Sequence, residues 1–139
     1  MSKFKLPNNY RPTEKEKFMS PRQKEFFRQR LMGWREEILR DAKDTIQNLQ
    51  DDEGQAPDLS DRATKESERS IELRTRDRQR KLVAKIDAAM IRIKEGNYGY
   101  CDDTGEPIGL KRLQARPIAT LSIEAQERHE RRERVYRDE

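Results

Sequence analysis

The sequence has few of the residues from which most compact proteins build a core. Only 32% of its 139 residues are apolar and 6% are aromatic, whereas 42% carry a charge. So polar a composition is typical of disordered chains. Here, however, charges of both signs are interleaved and the few apolar residues recur at helical spacing. That pattern indicates long solvated helices that pair along a narrow apolar seam.

Cysteine and long apolar runs are also scarce. The single cysteine, Cys101, excludes an internal disulfide framework and indicates a reducing compartment. No apolar run approaches the roughly 20 residues that span a bilayer, and the N-terminus lacks the apolar core of a signal peptide. We therefore expect a cytoplasmic protein without a membrane partner.

The balance of charge argues against a purely electrostatic grip on nucleic acid. The 31 lysines and arginines are nearly offset by 27 acidic residues, which leaves a net charge of +4. The aromatic side chains are too few for base-stacking platforms. A generic coiled-coil adaptor or a basic nucleic-acid binder is therefore a disfavoured alternative.

The first long helix is predicted to begin at Pro21, which fits the first turn of a helix with Ser20 as its N-cap. The apolar residues that follow are spaced by three or four, which places them on one helical stripe. They are Phe27, Leu31, Trp34, Ile38, Ala42, Ile46 and Leu49. A charged turn over residues 51–57, with Gly54 and Pro57, ends the stripe.

A second helix is predicted to begin near Asp58 or Ser60 and to run without glycine or proline to Glu95, with Gly96 as its C-cap. Two long helices joined by a short polar turn predict an antiparallel hairpin. Residues 1–20 are predicted to be mostly irregular, with one helical turn around residues 14–19. Residues 97–109 are turn-rich with short extended pieces, and a last helix begins near Ser122.

The predicted fold is mainly α. It consists of a long antiparallel coiled-coil hairpin plus a small globular domain with a degenerate zinc-ribbon-like segment and a C-terminal helix. The parts are residues 1–20 (irregular lead-in), 21–32 (base of the first helix, in the globular domain), 33–95 (hairpin, with its tip near 51–63) and 96–139 (the rest of the globular domain).

Four positions have the outline of a four-ligand zinc ribbon, two pairs with C-x2-C spacing: Cys101, Thr104, Ser122 and Ala125. Structural zinc needs four soft donors, but only the first is a thiol, hydroxyls are poor ligands and alanine has no donor. Asp102, Asp103 and His129 offer other donors at a spacing that does not match a tetrahedral set. We expect no zinc, with apolar packing in its place. Cys101 is then an ordinary buried thiol; a redox sensor is the alternative, disfavoured because the chain has no resolving cysteine.

Two charged clusters have both a structural and a functional interpretation. Asp58 as N-cap and Asp61 at the third helical position form a variant capping box. Further along, four residues at spacings of three, one and three share one side of the helix: Arg78, Lys81, Leu82 and Lys85. Several cations in such a row can hold a phosphate-rich ligand, and the structural alternative is a solvated helix face.

Four separated motifs follow one another in order: DLSDRA at residues 58–63, IELRTRDRQRKL at 71–82, YGYC at 98–101 and IGLKRLQARP at 108–117. In this order they resemble the DksA family, bacterial transcription factors that bind RNA polymerase. The resemblance runs from about residue 21 to residue 139. With its single cysteine, the sequence resembles the branch of this family that dispenses with zinc.

The resemblance implies a mechanism. A DksA-like hairpin enters the secondary channel of RNA polymerase, and its tip, here Asp58, Asp61 and Ala63, reaches toward the active centre. The bound factor alters open promoter complexes together with the alarmone guanosine tetraphosphate (ppGpp), as in the stringent response. It needs no sequence-specific contact with DNA, and we expect a monomer.

The resemblance also implies a ppGpp site formed with polymerase. The matching residues are Arg78, Leu82 and Lys85 on the hairpin, with Lys81 on the same face, and Arg116 in the globular domain. Gln126 stands where the family often has a further lysine. This departure bears on how strongly the protein responds to ppGpp, and not on how ppGpp binds.

A Gre-like transcript cleavage or elongation factor is the alternative from the enzyme class. Gre factors use a pair of acidic residues at the hairpin tip to help hold a second metal ion for RNA cleavage. Here Asp58 and Asp61 are three residues apart at a helix start rather than adjacent on a loop. The spacing favours a regulator that is not an enzyme.

Overall fold

Four helices make up most of the computed structural model, which describes residues 6–52 and 59–138. They are α1 (Pro21–Asp52), α2 (Leu59–Glu95), α3 (Leu110–Ala115) and α4 (Ile123–Asp138). No strand forms in these ranges, where the one isolated β-bridge pairs Tyr100 with Pro107 in antiparallel orientation. The mainly helical fold class is confirmed. None of the helices in the described ranges is long and apolar enough to cross a membrane.

Contacts divide the chain into two units, here called the terminal unit (Met1–Leu31 with Ala88–Glu139) and the hairpin unit (Met32–Asp87). Each of the two long helices contributes residues to both units.

In the hairpin unit α1 and α2 run antiparallel. Arg35, early in α1, donates a hydrogen bond from Nε to Oδ1 of Asp87 (2.7 Å), far along α2. Ile46, later in α1, lines the same cavity as Leu73, earlier in α2. The antiparallel hairpin predicted from the sequence is therefore confirmed.

Local signals fix three of the helix ends as predicted. Ser20 Oγ accepts a hydrogen bond from the N–H three residues on (3.3 Å) at the start of α1, and Ser122 Oγ does the same at the start of α4 (3.2 Å). At the end of α2, Gly96 has a φ of 88° and donates its N–H to the carbonyl of Arg92. Glycine adopts this left-handed conformation without strain, which explains its place after the helix.

The turn between the long helices differs from the prediction at its first residues. Helix α1 continues through Asp52, so Asp51 and Asp52 are helical rather than part of the turn. Helix α2 begins at Leu59 with Asp61 in its first turn, as predicted. Asp58, the predicted N-cap, lies outside the described residues.

Helix α3 lies between the turn-rich residues 97–109 and the last helix, in a stretch for which the sequence predicts no element. It buries Leu110 and Leu113, three residues apart. Six residues are too few to show a helical period in the sequence, and so short a helix depends on tertiary packing for its stability. The other main core residues of the terminal unit are Phe27, Leu31, Ala89, Tyr98 and Ala125.

Candidate functional site

The predicted tip lies at the start of α2. Asp61 is exposed in the first turn of the helix, and Ala63 is exposed two residues later. Asp58, the third predicted residue, is outside the described ranges. A carboxylate in the first turn is stabilised by the helix dipole. Asp61 can therefore stabilise the helix and still present its charge to a partner.

A basic face follows on α2 within the hairpin unit. Arg78, Lys81 and Lys85 are exposed, and Leu82 is half-buried among them. The ammonium of Lys81 lies 3.7 Å from a carboxylate oxygen of Asp77, an exposed pair of small energetic weight. Cations beside an apolar side chain are suited to an anionic ligand that also has a nonpolar part.

Two further predicted residues, Arg116 and Gln126, belong to the terminal unit. Arg116 is exposed just after α3, where its backbone N–H donates to the carbonyl of Arg112 (2.7 Å). Gln126 on α4 donates from Nε2 to Oε1 of Glu130 (3.3 Å). A ppGpp site that combines Arg116 with the basic face of the hairpin unit stays a prediction.

Hydrogen bonds occupy the four zinc-ribbon positions. Cys101 Sγ accepts from the N–H of Ser122 (3.4 Å), and Ser122 Oγ accepts from the N–H of Ala125 (3.2 Å). Thr104 Oγ1 accepts from the N–H of Glu106 (3.3 Å), and Ala125 is completely buried. Two hydroxyls engaged in capping the backbone and a methyl group do not complete a zinc site around one thiol.

Cys101 has the surroundings of a thiolate. Burial raises the pKa of its thiol, but hydrogen bonds from Ser122, Thr104 and Asp103 outweigh burial and lower the pKa from 9.0 to about 6. The side chain is 3% exposed and lies at the N-terminus of α4, where the helix dipole also favours an anion. The sequence predicts a buried thiol but contains no local signal of the lowered pKa, because the donor Ser122 lies 21 residues away.

The other candidate ligands make polar contacts within the terminal unit. Arg92 Nη2 lies 3.1 Å from Oδ2 of Asp102, and His129 Nε2 lies 2.8 Å from Oδ2 of Asp103. In the parts of the chain that the structure describes, no group of three or more His, Cys, Asp or Glu side chains is placed to hold a metal ion. The two aspartates thus connect residues 96–122, here called the ribbon segment, to α2 and α4.

Residues 7–20, here called the N-terminal strap, pack against the ribbon segment. Met19 is 6% exposed, and a Cβ placed on Gly99 would lie 3.2 Å from atoms of both Met19 and Phe18. The Phe18 ring meets the Tyr100 ring edge-on, with centroids 5.5 Å apart. The strap is irregular, as predicted, but it belongs to the core of the terminal unit. Two separate turns replace the single helical turn predicted over residues 14–19.

The completely buried side chain of Gln23 connects the strap to α1. Its Oε1 accepts from the N–H of Met19 (2.8 Å), and its Nε2 donates to the carbonyl of Thr13 (3.1 Å) and to the carboxylate of Glu16 (3.5 Å). A buried amide with both ends satisfied orders its surroundings. Sequence reasoning missed this residue because a glutamine in a polar helix carries no signal of burial.

Two protein families match the chain in succession. The family described as "DnaK suppressor protein DksA, N-terminal domain" matches residues 23–93. The family described as "Prokaryotic dksA/traR C4-type zinc finger" matches residues 96–131. Of the four cysteines that the second description names, this chain has only Cys101.

Relatives match nearly the whole chain. An RNA polymerase-binding transcription factor DksA from Caulobacter vibrioides is 60% identical over 95% of this chain and 93% of its own length. The protein of the same name from Escherichia coli is 38% identical over 90% and 83%. The solved structure of transcription factor DksA2 from Pseudomonas aeruginosa is 45% identical, covers 84% of this chain and 90% of that one, and has a TM-score of 0.78.

Proposed function

Because the chain belongs to the DksA family of RNA polymerase-binding transcription factors, we propose that it binds bacterial RNA polymerase. Its hairpin enters the secondary channel and changes the lifetime of open promoter complexes together with ppGpp. The main support is the 60% identity to a polymerase-binding DksA over 95% of the chain. The long hairpin and the exposed Asp61 and Ala63 at the start of α2 supply the physical means.

The proposed role is regulatory and not enzymatic. The relatives are transcription factors by name. In a Gre-like mechanism two carboxylates must hold a metal ion together, whereas Asp58 and Asp61 are three residues apart in the sequence and not adjacent. The factor acts in the cytoplasm as a monomer, and the polymerase provides the contact with DNA.

The ppGpp part of the proposal rests on the basic face. Arg78→Ala or Lys85→Ala should weaken the effect of ppGpp on transcription several-fold and leave binding to polymerase largely intact, because each removes one cation from a phosphate site. Lys94→Ala, an exposed lysine elsewhere on α2, is the control. Variants that respond to ppGpp like the parent protein would overturn the assignment of this face.

A zinc-free terminal unit is also proposed. Direct contacts hold the ribbon segment: the Cys101–Ser122 hydrogen bond, the Arg92–Asp102 ion pair, the His129–Asp103 hydrogen bond and the packing of the strap. A structural zinc would supply folding free energy on the order of 10 kcal/mol, so this part of the proposal has a large measurable consequence.

Co-purification with core RNA polymerase tests the main proposal. We expect the parent protein to bind the core enzyme and to shorten the lifetime of open complexes at a sensitive promoter. A cleavage assay on a backtracked complex separates the alternatives, because a Gre-like factor releases a short RNA and a regulator does not. Failure to bind the core enzyme contradicts the proposed function.

A further inference from the structure

The hairpin unit has an open cavity between its two helices, to which the proposed function assigns no role. Its volume is about 360 Å³, at the lower end of the roughly 300–1,000 Å³ of ligand pockets. Arg78 and Lys85 of the basic face are not among the residues that line it. Apolar side chains of both helices form its floor: Ile38, Leu39, Ala42, Ile46, Leu73 and Val83. The cavity is therefore distinct from the basic face and has the size of a site for a small molecule.

The floor of the cavity is incompletely covered. Leu39 and Leu73 are 43% and 48% exposed, although both lie in the seam between the helices. An alkyl chain laid along this floor would remove apolar surface from water, and each buried CH₂ group would strengthen its binding. At 1.5 Å per residue, the floor from Ile38 to Ile46 is about 12 Å long, which is the length of an extended chain of about ten carbon atoms.

The wall of the cavity contains a hydrogen-bond acceptor that lacks a donor. Gln79 lines the cavity, and its Oε1 is buried and accepts no hydrogen bond from the described residues. A buried amide oxygen in this condition is unfavourable, because it has lost its hydrogen bonds to water. A hydroxyl or N–H group on a ligand would supply the missing donor.

Arg76 is the charged residue of the cavity that is available to a ligand. Asp77, which also lines the cavity, is paired with Arg80 (2.6 Å) and lies 3.7 Å from the ammonium of Lys81. No carboxylate among the described residues forms an ion pair with Arg76. A guanidinium group binds a carboxylate in bidentate geometry, so Arg76 is suited to a ligand with a carboxylate.

We propose that this cavity binds a medium-chain 3-hydroxy fatty acid. The alkyl chain would lie on Leu39 and Leu73, the carboxylate would pair with Arg76, and the hydroxyl would donate to Gln79 Oε1. Residues three apart are neighbours on one side of a helix, and in such an acid the hydroxyl is likewise close to the carboxylate. A ligand site on the free protein goes beyond the proposed function and does not depend on binding to polymerase.

Other occupants fit fewer of these features. An unsubstituted fatty acid leaves Gln79 Oε1 without a donor. A nucleotide would place several negative charges beside an apolar floor and a single available arginine. A second copy of this chain, in a twofold contact through the cavity, would bring Arg76 against the same residue of its partner, and like charges that meet across an interface weaken it.

Two ligands that differ by one hydroxyl test the contact with Gln79. In isothermal titration below the concentrations at which the ligands form micelles, the parent protein should bind 3-hydroxydecanoate about tenfold more tightly than decanoate, because only the first carries the donor. Gln79→Leu should bind the two ligands equally, within about twofold. A general loss of structure would weaken both ligands alike and keep their ratio, so the ratio reports on the contact itself. Equal binding of both ligands by the parent, or a preference retained by Gln79→Leu, overturns the inference.

Two matched arginine substitutions test the contact with the carboxylate. Arg76→Gln should weaken the binding of 3-hydroxydecanoate by about tenfold, because it removes the bidentate cation. Arg40→Gln should change binding less than about twofold, since Arg40 is exposed on α1 and lines neither this cavity nor the neighbouring one on α2. Circular dichroism confirms that both variants keep their helices. Equal losses would mean that the fatty acid adsorbs to the charged surface of the protein, which overturns the inference.

Two further outcomes also contradict the site. Absence of 3-hydroxydecanoate binding by the parent protein overturns the inference and leaves the proposed function intact. If sedimentation shows a parent dimer that Leu73→Glu dissociates, a second copy of the chain covers the floor, and the inference is overturned as well.

Discussion

Asp61 is a residue at which one carboxylate can have two roles. In the first turn of α2 it stabilises the helix, and in the proposed complex it presents a negative charge inside the secondary channel. Substitutions that keep the shape and remove the charge distinguish the two roles.

Asp61→Asn should abolish the effect on open promoter complexes and leave polymerase binding intact. Asparagine still accepts a backbone hydrogen bond, so the free energy of unfolding should fall by only about 0–1 kcal/mol. The measurement is open-complex lifetime beside a polymerase-binding competition. Glu68→Gln, an equal loss of charge at an exposed position seven residues on, is the control. Normal shortening of the lifetime by Asp61→Asn would leave Asp61 as a helix-stabilising residue only.

Cys101 should make the stability of the protein depend on pH. Its pKa in the folded protein is about 6, below the roughly 8.5 of a thiol in an unfolded chain. Between these values the unfolded state binds more protons, so the free energy of unfolding rises with pH. This stabilisation is complete above the unfolded pKa and is lost as the pH falls through about 6.

Urea unfolding from pH 6 to pH 9 checks this expectation. Cys101→Ser keeps a similar shape and does not titrate in that range, so its stability should rise less steeply with pH than that of the parent protein. Equal slopes for the two proteins would mean that the thiol stays protonated in the folded state.

At the scale of elements, α1, α2 and α4 were predictable and α3 was not. Helix α1 follows from an apolar stripe of about six turns behind the cap at Ser20, and α2 from a run without glycine or proline that ends at Gly96. Helix α3 and the strap depend on contacts with residues far away in sequence, such as the burial of Leu113 and the approach of Met19 to Gly99. A single sequence does not encode such contacts in a local pattern.

The candidate site was likewise only partly predictable from the sequence. The positions of Asp61, Arg78 and Lys85 came from a motif on one helix, and the structure places them exposed on α2. The cavity of about 360 Å³ between α1 and α2 was not predicted, because its walls come from two helices that pack across the hairpin. The buried Gln79 Oε1, which accepts no hydrogen bond from the described residues, likewise becomes visible only after packing.

A substitution of Gly99 tests the packing of the strap, and a substitution of Gly33 in α1 provides the comparison. Gly99→Ala should destabilise the protein by about 1–3 kcal/mol, because Gly99 has a φ of 91° and its Cβ would approach Met19 and Phe18. Gly33→Ala should stabilise it by about 0.5–1 kcal/mol, since Gly33 is helical and no atom lies within 4 Å of its Cβ. Urea denaturation measures both. A Gly99→Ala protein as stable as the parent would contradict the close contact with the strap.

At the scale of the whole molecule, direct contacts are proposed to replace a metal. A strong chelator should leave the circular dichroism spectrum and the unfolding temperature unchanged, and elemental analysis should find no zinc. Deletion of residues 1–19, by contrast, should lower the unfolding temperature, because it exposes Gln23 and the surface around Gly99. One zinc per chain, or unfolding on chelation, would contradict the expectation.

The hydrogen bonds and packing at the four zinc-ribbon positions oppose the construction of a zinc site by single substitutions. Ser122→Cys removes the N-cap of α4, at a cost of about 1 kcal/mol. Ala125→Cys adds a sulfur atom to a completely buried side chain, and such overpacking typically costs about 1–3 kcal/mol. Thr104→Cys removes the acceptor for the N–H of Glu106. Because zinc stabilises only a site with the complete set of ligands, metal binding offsets none of these three costs when the substitutions are made one at a time.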